Sequence, residues 1–477
     1  MDAALESKVG SSTVTPSDAE GSDTEKANIR LEKDLVRKLD LYIIPVYMLT
    51  YMFSFIDRVN IGNAKVAGLA TGIHLQGTEY NVAVSIFYVT YVIFEIPLTV
   101  LLKIVGPSRL IPTVMIGWSL ITIFSGFLQN YAGFIVVRLF LGLCESAFFP
   151  SLNLYVSMFW KRDEIAKRAI ALMVSMSLAG AFGGLLAYGL TQMNGVGGYA
   201  GWRWLYFIEG LISLIFGIAC FWLLPDNPET AYFLTPEERQ LGKERLVSQG
   251  NYEEFTYADV IAALKSPICW LSSAIQIAVC VQVYSMSTFL PIIVSGLGYN
   301  ALQSQYLTIP VYIGGALGVC LAGYIADKYQ ARAPILLTFS LPVIIGYAIL
   351  LGTHSPGVNY FGCFLVVFGT YVYPGLNLTW LNGNTAPHYK RAAAVAMNQT
   401  VGNLGGIIAG QIYLTRESPH YRTGHAVSLS GLSLAWALTW VLWAYLRRQN
   451  HKKEEMLSNN IADIGRGDTK LDFKYQL

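Results

Sequence analysis

LYIIPVYMLTYMFSFIDRVNIG, residues 41–62, runs for sixteen residues without a charge before Asp57 and Arg58 arrive together. At ~1.5 Å rise per residue a helix over this stretch is about 33 Å long, enough to cross a ~30 Å hydrocarbon core. The stretch decides the fold because it recurs. Comparable apolar runs lie near 81–103, 109–128, 132–159, 166–191, 203–224, 268–295, 303–326, 333–352, 358–382, 391–413 and 426–446. Only helices and closed barrels satisfy their backbone groups in lipid, and runs of this length are helical. The expected fold is therefore an all-α membrane protein with twelve transmembrane helices.

Composition agrees. Of 477 residues, 53% are hydrophobic and 13% charged, against about 25% charged in soluble proteins. The net charge of +2 implies no nucleic-acid or acidic partner. Placement of the basic residues says more. With both termini cytoplasmic, the short inner loops hold Lys103, Arg109, Lys161, Arg162, Lys167, Arg168, Lys328, Arg332, Lys390 and Arg391, while the outer ones hold Lys65, Arg203, Arg416 and Arg422. That bias satisfies the positive-inside rule for an even number of spans. The polar, Ser- and acid-rich residues 1–28 lack the apolar core of a cleavable signal and read as a disordered cytoplasmic segment. Leu31, Leu35 and Leu39 recur at a spacing of four among charges, the pattern of an amphipathic lead-in to the first span. The six cysteines show no metal-ligand spacing, and no phosphate-binding, zinc-protease or nucleophile-elbow motif is found. No enzyme chemistry, cofactor or metal is expected.

A charged, Pro-punctuated interruption at 225–265 divides the spans six and six. The halves repeat weakly in register. KRAIALMVSMSLAGAFGG begins at Lys167 and KRAAAVAMNQTVGNLGG at Lys390, while TVLLKIVGPSR from Thr99 and GYIADKYQAR from Gly323 pair at nearly the same offset. The implied domains are a six-helix bundle at 29–224, a central loop at 225–265, a second six-helix bundle at 266–447 and a cytoplasmic tail at 448–477. Duplicated halves holding substrate between them near the midplane are a common transporter plan.

GYIADKYQAR at 323–332 and RLFLGLCESAFFP at 138–150 resemble signatures of the major facilitator superfamily. FIDRVNIGNA, YAGWRWLYFIEG, LPDNPETAYFLTPEER and SPHYRTGHA are similar to the anion:cation symporter family, in particular its fungal allantoate, nicotinate, pantothenate and biotin permeases. The likeness covers roughly residues 35–447. It implies the major facilitator fold and uptake of a small organic anion with protons, by a monomer in the plasma membrane. An exporter of a carboxylated metabolite and a non-transporting sensor are the alternatives. One departure stands out: Lys103 occupies a loop position that the superfamily pattern gives to Asp, and Glu95, two turns earlier, is the expected substitute.

A charge at the bilayer centre costs at least ~2.5 kcal/mol, so it survives only when paired or lining water. Arg58, about 17 residues beyond Leu41, lies deep in the first span. Its guanidinium suits a substrate carboxylate, because it stays charged and offers two parallel donors. Asp57 and Glu145 are the candidate proton sites, with Arg138 two turns before Glu145 and on its face. The family likeness gives Arg58, Asp57 and Glu145 the same roles and matches Tyr91 to a binding position. Fixed ion pairs joining the first and fourth spans are the competing explanation. Tyr88, Tyr91, Gln282, Tyr284, Tyr373, Asn377, Asn398 and Asn403 are candidates to complete the substrate site. Glu95, Lys103, Arg109, Asp327, Lys328 and Arg332 are candidates for gating at the inner ends, while Glu209 reads as structural.

Overall fold

The computed structural model describes residues 30–247, 256–459, 463 and 465–477, without the side chains of Lys103, Arg162, Asp163, Ala166, Lys167 and Ala169. The expected disordered segment 1–28 lies outside the described residues. Twelve long helices follow one another: α1 (Arg30–Val66), α2 (Glu79–Val105), α3 (Pro107–Ser125), α4 (Tyr131–Ser157), α5 (Arg162–Thr191), α6 (Gly201–Leu223), α7 (Pro267–Gly296), α8 (Ala301–Tyr329), α9 (Ala333–Gly352), α10 (Pro356–Gly383), α11 (His388–Ile412) and α12 (Arg422–Ser458). Local chemistry sets several starts. Asn130 accepts from the Gly133 N–H to cap α4, and Asn300 forms a capping box with Gln303 at α8.

Eleven of these helices are long and apolar enough to cross a membrane. The exception is α11, whose 25 residues suffice in length but include Asn398, Gln399, Asn403 and Gln411. Its polar groups are tolerated because α11 packs between α7 and α2.

Helices α1–α6 form one bundle, with α3 against α6 and α2 against α4, and α7–α12 form the other. The bundles meet along three helix pairs: α2 with α11, α5 with α8, and α1 with α7. Away from the face that carries the start of α1 and the end of α12, this seam is dense and polar. Asn81 Nδ2 donates to the carbonyls of Gly410 (2.7 Å) and Tyr413 (2.9 Å), and Ser85 Oγ donates to Ile407 (2.9 Å). Gln411 answers with bonds to Asn81 O (3.1 Å) and Ser85 Oγ (2.8 Å). Across α5 and α8, Ser177 Oγ donates to Tyr312 O at 2.6 Å. Glycine makes the approach possible: a Cβ on Gly410 would strike the Ser85 hydroxyl and backbone, and one on Gly62 the Thr288 carbonyl.

On the terminal face, polar ties dominate. The lead-in begins α1 at Arg30 rather than near 41 and is buried at Leu35, Leu39 and Ile43. Glu32 pairs with Lys161 (2.6 Å) and Arg245 (2.8 Å), Asp40 with Arg168 (2.6 Å), and Lys38 with Glu238 of the short helix Pro236–Val247 (2.7 Å). The chain after α12 folds back beneath the second bundle. Asp468 pairs with Lys390 at 2.7 Å, Asn450 and Tyr475 exchange two hydrogen bonds, and the Arg332 N–H donates to Leu477 O at 2.9 Å.

Candidate functional site

Two helices are broken at equivalent places in the two bundles. α4 consists of Tyr131–Glu145 and Phe148–Ser157, and α10 of Pro356–Thr370 and Val372–Gly383. Pro150 and Pro374 explain both breaks. Neither can donate to the carbonyl four residues earlier, which frees Ser146 and Thr370 from the regular ladder. Interrupted helices at matching repeat positions mark the binding region of many transporters. The two prolines, 224 residues apart, carried this signal in the sequence.

Between the breaks lies a cavity with about 470 Å³ of non-atom space, part of it continuous with open solvent. The first bundle contributes Tyr51, Arg58, Tyr91, Phe149, Met173 and Met176. The second contributes Gln276, Cys280, Val283, Tyr284, Pro374, Leu378, Gln399 and Asn403.

Arg58 is 4% exposed. Its Nε (3.2 Å) and Nη2 (3.1 Å) both donate to Oε2 of Glu145, while Oε1 of Glu145 has no hydrogen-bond partner. Ser54 Oγ reaches the same Oε2 at 3.5 Å. The guanidinium lies over the rings of Tyr91 (4.9 Å) and Phe87 (5.3 Å). A cation held by one carboxylate oxygen and two π faces, with an edge on a cavity, can exchange that carboxylate for another. Glu145 is thus paired with Arg58. Arg138, the partner suggested by helical spacing, instead donates from Nε to Ala83 O at 3.1 Å and stacks over Phe87 at 4.7 Å. Asp57 faces the other side of α1, where Ser213 Oγ of α6 donates to its Oδ2 at 3.4 Å.

Of the residues expected at the substrate site, Arg58, Tyr91, Tyr284 and Asn403 meet at the cavity. Tyr88 sits behind them, its ring 4.7 Å from that of Tyr284. Asn377 and Asn398 stand one layer back. Asn377 bonds Ser272 and donates to Gln276 Oε1 at 2.8 Å, and Asn398 donates to Ser272 Oγ at 3.0 Å, so both steady the Gln276 amide at the cavity wall. Gln282 and Tyr373 point elsewhere: Gln282 bonds Thr370, and Tyr373 pairs with Thr439 of α12 at 2.7 Å. Gln276 and Gln399 are lining groups that sequence reasoning missed.

The gating candidates also separate. Glu95 does not join the loop after α2. Its Oε1 accepts from Asn403 Nδ2 at 3.0 Å, and Asn403 Oδ1 accepts from Tyr284 OH at 2.6 Å, so Glu95 ties α2 to α11 and α7 beside the cavity. The acid that serves the loop is Asp226, beyond α6, whose Oδ1 accepts from the Ser108 N–H at 2.9 Å. The Lys103 side chain lies outside the described residues, and Arg109 is exposed. Asp327 pairs with Arg332 of its own loop at 3.4 Å, and Lys328 lies over the Tyr329 ring at 5.6 Å. Asp327 and Arg332 border a second void, between α5, α8 and α10 on the terminal face.

The model of the family described as the Major Facilitator Superfamily matches residues 47–410. An uncharacterized transporter of Schizosaccharomyces pombe is 41% identical over 471 residues, covering 98% of this chain and 94% of that one. The high-affinity nicotinic acid transporter of Saccharomyces cerevisiae is 34% identical over 430 residues, covering 90% and 80%. Among solved structures, a bacterial homolog of the human lysosomal transporter Spinster aligns with a TM-score of 0.65 at 15% identity, over 84% of this chain and 96% of that one. That last likeness concerns the fold alone.

Proposed function

The chain belongs to the Major Facilitator Superfamily, and from that premise we propose that it takes up a small organic anion together with protons, by alternating access. The observation that carries the reading is the Arg58 guanidinium, buried in the membrane and bordering the cavity between the bundles while bound to one oxygen of Glu145. A substrate carboxylate competes with Glu145 for that guanidinium. A proton on Glu145 removes the competitor, so proton and anion bind in a mutually supportive way. The anion enters a cavity floored by the broken helices, with Tyr91, Tyr284, Asn403, Gln276 and Gln399 offering polar contacts and Met173, Met176 and Phe149 an apolar wall.

Closure away from the terminal face by the α2–α11 and α5–α8 seam makes this the state open toward the termini. With the basic loops cytoplasmic, it is the release state of an importer, and the Asp327–Arg332 pair lies where the opposite gate forms. The nicotinic acid relative makes a compact aromatic monocarboxylate the first candidate, and allantoate, pantothenate and biotin the next.

Vesicles containing the protein are given labelled nicotinate, allantoate, pantothenate or biotin under an imposed pH gradient. Accumulation of one of them that collapses when the gradient is removed is expected. Accumulation that ignores the gradient, or none for any carboxylate, overturns the reading.

A further inference from the structure

In the membrane-embedded interior of the first bundle the buried carboxyls are Asp57, Glu95, Glu145 and Glu209, and the buried cations are Arg58 and Arg138. Each cation has a place: Arg58 on Glu145, and Arg138 on the Ala83 carbonyl and the Phe87 ring. Glu95 has the Asn403 amide. Asp57 and Glu209 remain, on facing sides of α1 and α6 and close enough to interact electrostatically.

Both are 3% exposed. Glu209 has no hydrogen-bond partner on either carboxyl oxygen, and Asp57 none on Oδ1. Ser213, one turn after Glu209 on the same face of α6, reaches Asp57 Oδ2. Other facing groups add no cation: Trp118 and Thr122 of α3 lie beside Asp57 short of strict hydrogen-bond geometry, Glu145 of α4 adds a like charge, and Tyr206 of α6 adjoins Glu209. Arg138 is the nearest cation, acting on Tyr206 and Glu145.

Two ionised carboxylates cannot both stay buried here without a cation, and one proton removes the conflict. We propose that Asp57 and Glu209 hold a single proton between them and form the proton-carrying site of the transporter, back to back with the anion site. The proton binds a carboxylate oxygen on loading and returns to water on release, so no other reactant is needed. Asp57 and Arg58 share one turn of α1, about 100° apart. Capture of an anion by Arg58 therefore shifts the turn that holds Asp57 against Glu209, which links the two sites through covalent geometry. This deepens the proton-coupled reading and rests on it; its first test needs no substrate.

That test is infrared difference spectroscopy of the purified protein, titrated from about pH 4 to about pH 9, reading the C=O stretch of protonated carboxyls. The wild type is expected to keep a protonated-carboxyl band at neutral pH. Glu209→Gln, which preserves shape, is expected to lose it. Asp57→Asn is expected to keep a band whose midpoint falls by about one pH unit or more, because a like charge has gone. A band in Glu209→Gln identical to wild type, no wild-type band at neutral pH, or an unmoved midpoint in Asp57→Asn overturns the proposal. Asp57→Asn reads the pair from the other side should Glu209→Gln express poorly.

The second arm uses labelled nicotinate in vesicles. In Glu209→Gln, accumulation driven by a pH gradient is expected to drop at least about tenfold while nicotinate exchange stays within about twofold of wild type. Equal loss of both would mark Glu209 as structural and refute its coupling role. Failure of the wild type to carry nicotinate would count against the substrate reading alone, since the spectra decide the proton site.

Discussion

Arg58→Lys tests the anion site more sharply than removal of the charge does. The guanidinium sends two donors to a single oxygen, at 3.2 and 3.1 Å, and rests on the Tyr91 ring at 4.9 Å. Lysine keeps the charge but loses the fork and the planar stacking. Losing one charge-assisted hydrogen bond to the bound carboxylate costs about 1.5–3 kcal/mol, and the lost ring contact about 0.5–2 kcal/mol in a desolvated site. Together these raise the KM for a carboxylate by about 30-fold or more, at tenfold per ~1.4 kcal/mol. Arg58→Ala is more drastic, because it strands Glu145, which has no exposed surface, at a cost of about 3–5 kcal/mol. In Arg58→Ala/Glu145→Gln the stranded charge is gone, so folded protein at the membrane recovers while uptake does not. The assay is initial-rate uptake of labelled nicotinate, with surface protein quantified for each variant. A KM in Arg58→Lys within twofold of wild type, or uptake by the double variant, refutes the assignment of Arg58 to the substrate.

Glu145→Gln frees Arg58 from its competitor; nicotinate is expected to bind about tenfold more tightly or better while accumulation stops responding to the pH gradient, measured by binding and uptake on the same preparation. Gly410→Val places a side chain against Ser85; the α2–α11 seam then cannot close, uptake falls at least about tenfold, and a Ser85→Cys reporter labels faster than in the parent. At the short helix Pro236–Val247, burial pushes the Glu238 carboxyl up, but hydrogen bonds from Lys38 and Thr235 outweigh it and hold the group below the usual carboxylate range. A lowered folded-state value means the contact stabilises at neutral pH and is lost as pH falls through that value. Hydrogen-exchange protection of this helix is expected to drop on acidification in wild type, and to be lower and less pH-sensitive in Glu238→Gln.

Much of this architecture is legible in the sequence because lipid enforces it: twelve apolar stretches, a basic bias among loops and a polar divide admit few alternatives. Arg58 and Glu145 were findable for the same reason, since a charge within an apolar run demands a partner. Which neutral polar groups face the cavity was not. α7 is buried on almost every side, so it has no amphipathic face to read, and Gln276, Cys280, Val283 and Tyr284 form the cavity stripe while Gln282 faces α10. Periodicity could not choose between the two glutamines. Nor could it supply Asp226 to a loop more than a hundred residues away, or turn Glu95 toward Asn403. Glu209 was misweighed because its tryptophan-rich surroundings suggest an interface anchor, whereas α6 turns it inward toward Asp57.

Equilibrium binding of nicotinate and nicotinamide to the purified protein isolates the charge that Arg58 is held to recognise, because the two ligands differ at the carboxylate and share the ring. The account predicts that nicotinate binds at least about 100-fold more tightly and that Arg58→Lys and the double variant Arg58→Ala/Glu145→Gln erase most of that preference. Equal affinities in wild type, or a preference that survives in both variants, would contradict it.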